Sequence, residues 1–247
     1  RSRSVLSEVI YAPPLILDDG YVGLKIYTLL LSVCELLLLY ALVKRHLGAE
    51  RALVTGIVYA VIPAFNFYAQ MPHPVHLNVI VTLCAALYSV PLLIGERKLR
   101  STERFVGWFV LLVGPFVDNF LAFAWAGIAL GLFIRYRLSR RDMLWKYPLL
   151  LSIPVIWFFV HLWLNSILGN SSDSLLNRLG PRSDPMSFLD LDFLLEFSDE
   201  FSNQIGPLGV FILLASLLGI KQFRQTPAEI QIVIISLGSM AFWTLAI

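Results

Sequence analysis

The chain has 247 residues, of which 57% are hydrophobic and 15% charged; soluble domains carry about a quarter charged residues, so an ordinary soluble domain is excluded. The formal net charge is +2, dispersed among short loops, which gives no support to a nucleic-acid partner, since phosphate neutralisation needs a basic surplus on one face. Cys34 and Cys84 both lie in apolar runs, too few for a disulfide framework or a four-ligand zinc site, and read as small packing residues.

No start methionine or signal sequence opens the chain and Phe242 to Ile247 close it within an apolar run, so it reads as a piece of a longer protein. A helix needs about 20 apolar residues to cross a hydrocarbon core. The candidate spans, in order, are Tyr21 to Val43, Ala52 to Ala69, Leu77 to Ile94, a compound segment Val106 to Ile134, Tyr147 to Leu168, Gly206 to Ile220, and Ile230 to Ile247. Each is expected to be helical, because lipid offers the backbone no hydrogen bonds.

Basic residues accumulate in cytoplasmic loops. Lys44, Arg45 and Arg51 share one loop; Arg97, Lys98, Arg100 and Arg104 a second; Arg135, Arg137, Arg140, Arg141 and Lys146 a third; Lys221 and Arg224 a fourth, making 14 of the 19 basic residues. Residues 70–76 and 118–119 contain none, and residues 169–205 carry only Arg178 and Arg182 against seven acids. Arg104 and Arg135 must then lie on one side, so Val106 to Ile134 crosses an even number of times. Its limbs, about 22 Å each, fall short of the core thickness. Asp118 and Asn119 mark the turn, at or below the outer surface. The alternative, one long kinked helix, would place the most basic loop outside. In residues 169–205, Phe188, Leu191, Leu194 and Leu195 recur at helical spacing, as in an interfacial helix on the outer leaflet.

The expected fold class is therefore all-α: a polytopic transmembrane helical bundle of about eight membrane segments, including a pair of short helices. It forms a single transmembrane domain over residues 1–247, with an outer loop at 169–205.

Ionisable groups within spans are functional suspects. Lys25, one turn below the outer surface, either snorkels outward or binds a lipid phosphate. Glu35, about 21 Å along its helix and nearer the cytoplasmic end, is either protonated or hydrogen-bonded between helices, or serves a coupling ion. Gln70, His73 and His76 form a compact polar cluster broken by two prolines; metal ligation, substrate contact and interface anchoring all remain open. His161 and Asn165, four apart, share a helix face flanked by Trp157 and Trp163, and packing is the simpler reading. Asp190 and Asp192 spell D-x-D but read as a solvated face, and Asn170 begins a short glycosylation pattern. No nucleotide-binding or hydrolase motif appears.

The run Tyr11-Ala-Pro-Pro-Leu15, then Gly20 to Lys25, then Leu36 to Gly48 resembles the C-type (GT-C) membrane glycosyltransferases, including dolichyl-phosphate-mannose protein mannosyltransferases and aminoarabinose transferases. Val61 to Gln70 is similar to the family's Pro-x-x-x-x-Tyr stretch, Ala85 to Tyr88 to its return helix, and the paired short helices around Asp118 also fit. The resemblance implies transfer of a sugar from a polyprenyl-phosphate donor to a protein, lipid or glycan acceptor on the outer face. Such chemistry needs a carboxylate base and a cation for the departing phosphate. Asp118 and Asp19 are the candidates for the first and Lys25 for the second, while Gln70, His73, His76, Asn119 and His161 are the expected substrate contacts. The family's first outer loop carries the acidic base; here that region is absent or compressed, with Glu8, Asp18 and Asp19 the only upstream acids. No cofactor is expected, and no motif supports a divalent metal. A prokaryotic plasma membrane is expected before the endoplasmic reticulum. The alternative reading is a secondary transporter or flippase in which Glu35 and the break at Asp118 form a midplane ion site.

Overall fold

A computed structural model describes residues 10, 12, 21–62, 75–95, 99–118, 121–136, 144–167, 227, 230–232 and 234–236. Among them every regular element is a helix: α1 (Tyr21–Leu47), α2 (Ala49–Val61), α3 (Val75–Ile94), α4 (Ser101–Val117), α5 (Leu121–Tyr136) and α6 (Lys146–Ile167). Within α3, one turn at Ala85–Ser89 is a π-helix. The expected segments at 206–220 and 169–205 lie outside the described residues.

Helix ends follow from local chemistry. Gly48 separates α1 from α2 with φ 92°, and Gly95 ends α3 with φ 70°, backbone that a side chain would resist. Lys44, Arg45 and His46 occupy the last turn of α1, where cations complement the helix dipole. Glu103 accepts from the Arg100 N–H at 2.9 Å, closing the start of α4. The break after Val117, with Asp118 extended at φ −153°, divides the apolar run 106–134 into two helices.

Prolines shape the interior. Pro91 has no N–H for the Leu87 carbonyl four residues earlier, and Arg45 Nη1 donates to it at 2.8 Å. Pro115 likewise deprives Leu111, whose carbonyl accepts from Trp125 Nε1 at 3.1 Å. The Leu93 carbonyl, in the final turn of α3, accepts from the buried Lys146 ammonium. These three carbonyls thus become interhelical ties.

These ties also give the topology. Glu35 meets His76 while Arg45 meets Leu87, so α1 and α3 are parallel. Ser89 meets Gly107 while Asn78 meets Asp118, so α3 and α4 are antiparallel. Gly114 lies under Trp125, and Phe133 against Tyr147, continuing the antiparallel order through α5 and α6. As a result Lys44, Arg45, Arg51, Arg100, Arg104 and Lys146 collect at one end of the bundle. Lys25, the last turn of α2, the first turn of α3 and Asp118 lie toward the other.

The core between α3, α4, α5 and α6 is made by Leu93, Leu111, Leu121, Trp125, Ile128, Leu132 and Leu150. The exterior is apolar as well: Val22, Leu30 and Leu37 on α1, Leu53 and Ile57 on α2, Phe105 on α4, and Phe159 and Trp163 on α6 are exposed. Soluble monomers rarely present so much continuous apolar surface. Two helices, Val22–Leu47 and Val75–Ile94, are long and apolar enough to cross a membrane. Leu121–Phe133 and Lys146–Val160 are apolar but shorter, so the described helices give two candidate spans where about eight membrane segments were expected.

Candidate functional site

Two buried polar clusters flank the first turn of α3. In the first, Glu35 from the middle of α1 is only 1% exposed, as is His76 from α3. Glu35 Oε2 lies 2.5 Å from His76 Nδ1, and its Oε1 accepts a short bond from the Tyr59 hydroxyl in the last turn of α2. His76 Nε2 faces Ser32 Oγ at 3.2 Å. Ser32 in turn donates to the Thr28 carbonyl at 3.0 Å, and Thr28 to Leu24 at 2.9 Å. The cluster therefore joins three helices.

In the second cluster Asn78 Nδ2 donates to Asp118 Oδ2 at 3.2 Å, with Asn78 5% and Asp118 8% exposed. Asn78 Oδ1 is buried and has no hydrogen-bond partner among the described residues. A buried acceptor left in this state costs about 1–3 kcal/mol, so the pair retains unused capacity for a donor. The Asp118 carbonyl accepts from the Leu121 N–H at 3.0 Å, which holds the turn into α5.

His76 and Asn78 lie about 27 and 24 Å above Ile94 along α3. That is nearly the full thickness of a hydrocarbon core of about 30 Å. On α3 both clusters therefore sit toward the end opposite the basic residues, while on α1 Glu35 stands mid-helix, about 21 Å from Tyr21 and about 15 Å from Arg45. From Glu35, α1 continues well beyond the first turn of α3.

Of the expected site residues, the structure buries His76 against Glu35 and Asp118 against Asn78, two separate pairs on nearly opposite sides of the first turn of α3. His76 is not in an exposed polar cluster; it is buried against Glu35. Lys25 is exposed near the start of α1, about 15 Å along the helix from Glu35. Asp19, Gln70, His73 and Asn119 lie outside the described residues, as do D-x-D, Asn170 and the side chains of His161 and Asn165. Glu35 and Asp118, paired in the transporter reading, bond to different residues of α3. Among the described residues no three His, Cys, Asp or Glu side chains come together in a metal-binding arrangement.

Sequence reasoning did not single out Ser32, Tyr59 or Asn78. Asn78 carried a signal, since it stands in the apolar run Leu77-Asn-Val-Ile-Val-Thr-Leu83, where an amide must find a partner. Tyr59 and Ser32 carried none, being ordinary residues of apolar helices until a carboxylate is packed beside them.

These features define an all-helical bundle with an apolar exterior, basic residues at one end and buried polar pairs toward the other. Compared with family models, curated proteins and solved structures, the chain has no match.

Proposed function

We propose that the protein is a multi-pass membrane enzyme that transfers a sugar from a polyprenyl-phosphate donor to an acceptor at the end of the bundle opposite its basic residues. The observation that carries this reading is the Asn78–Asp118 pair, a buried carboxylate beside an unfilled amide acceptor at a helix break. An acceptor hydroxyl donating to this pair would find a carboxylate able to take its proton as the new bond forms. Lys25, toward the same end of α1, suits the departing phosphate by charge. The depth of the pair supports a site reached from one surface more than the midplane site that an ion-coupled transporter needs.

The full eight-segment topology, the prokaryotic plasma membrane and the contacts of Gln70, His73, Asn119 and His161 belong to this proposal. The experiment is sugar transfer by the full-length protein in vesicles with a polyprenyl-phosphate hexose donor. Asp118→Asn is expected to lower kcat by about a hundredfold, and Lys25→Ala to lower kcat/KM by about tenfold. Full activity in both variants would sink the assignment. Ion-dependent uptake without sugar transfer, lost in Glu35→Gln, would instead support the transporter.

A further inference from the structure

The Glu35 cluster is built from proton positions that its hydrogen bonds largely determine. Ser32 has one hydroxyl proton, and it goes to the Thr28 carbonyl. Facing His76 Nε2, Ser32 Oγ therefore accepts, so Nε2 carries a hydrogen. Tyr59 donates to Glu35 Oε1, leaving one proton between Oε2 and Nδ1. Whether that proton rests on the carboxylate or the imidazole, the pair sums to zero charge.

We propose that Glu35, sharing this single proton with His76, is a positioning residue that fixes the rotation of the first turn of α3 and so holds Asn78 against Asp118. His76 and Asn78 are two residues apart, hence about 200° around the helix. α1 grips the first turn from one side and α4 from nearly the opposite side. A lower tie between α1 and α3, Arg45 to Leu87, falls inside the π turn at Ala85–Ser89, whereas Glu35 and Ser32 both hold His76 above it. A local change of winding separates it from the first turn, so the upper tie sets the direction of Asn78. Tyr59 makes the grip three-way, binding α2 to the same carboxylate. The kinetic consequence rests on the transferase reading; the shared proton does not.

The test uses the full-length protein in lipid nanodiscs with a polyprenyl-phosphate hexose as probe. Glu35→Gln preserves the network, because its amide oxygen accepts from Tyr59 and its NH2 donates to neutral His76 Nδ1. It is expected to keep kcat within about threefold of the parent. Glu35→Leu leaves His76 and Tyr59 without that partner and is expected to lower kcat by about tenfold or more with donor KM changed less than about twofold. Glu35→Leu with His76→Leu refills the space with apolar side chains; it should regain the parent Tm while kcat stays low. Recovery of kcat together with Tm would make the cluster merely structural and overturn the proposal. So would a Glu35→Gln variant as impaired as Glu35→Leu, a comparison the double variant replaces if the single Leu variant does not fold. Nitrogen-15 NMR of His76, assigned by its loss in His76→Gln, reads the proton directly. Nε2 should carry a hydrogen while Nδ1 shares one with Glu35, and a ring whose Nε2 is bare overturns the sharing. If the parent transfers no sugar, the transferase reading fails, and the NMR result still decides the proton.

Discussion

The Leu111 carbonyl has no helical donor, because Pro115 stands where the N–H should be, and Trp125 supplies one from α5. Trp125→Phe keeps the ring but removes the donor, so it is expected to cost about 1–3 kcal/mol in equilibrium unfolding from mixed micelles. Pro115→Ala restores the backbone N–H, and in the double variant that cost should shrink by at least half. Equal costs with and without Pro115 would mean that the indole bond contributes nothing. Arg45 and Pro91 form the same pairing at Leu87. Such pairings are half legible in a sequence. A proline inside an apolar run announces an orphaned carbonyl four residues earlier, but which Trp, Arg or Lys answers it depends on helices that meet only after folding.

At the scale of elements, small residues decide how closely helices approach. A Cβ on Gly107 would stand 2.7 Å from the Tyr88 carbonyl oxygen, and one on Gly114 2.6 Å from the Trp125 ring. Gly107→Ala meets backbone that cannot turn aside and is expected to cost about 1–3 kcal/mol. It should also weaken the Ser89 bond to the Gly107 carbonyl, now 2.7 Å. Gly56, where an added Cβ would meet nothing within 4 Å, serves as the control, and Gly56→Ala should be neutral or slightly stabilising in the same unfolding measurement. The break at Asp118 was readable from charge parity, since Arg104 and Arg135 had to share a side. The π turn at Ala85–Ser89 was not, because nothing in Ala-Ala-Leu-Tyr-Ser distinguishes it from an α-helical turn.

Over the whole molecule, the antiparallel order predicts which positions share a side. With Cys34 and Cys84 replaced, single cysteines at the exposed Ala49 and Ser101 should react with an impermeant thiol reagent from the same face of sealed vesicles. A cysteine at Val22 should react only from the opposite face. Labelling of positions 22 and 101 from one face would refute the topology.

The sequence by itself determined the all-helical class, the apolar exterior, the hairpin at Asp118 and the gathering of basic residues at one end. All four follow from composition, periodicity and charge sign, which act locally or through simple parity. Only the tertiary structure decided that Glu35 meets His76 and Tyr59, that Asn78 faces Asp118, and that both clusters lie toward the far end of α3. Those outcomes depend on the relative height and rotation of neighbouring helices. Height and rotation are set by contacts between residues some 24 to 41 positions apart in the chain, a separation at which hydrophobic periodicity carries no information.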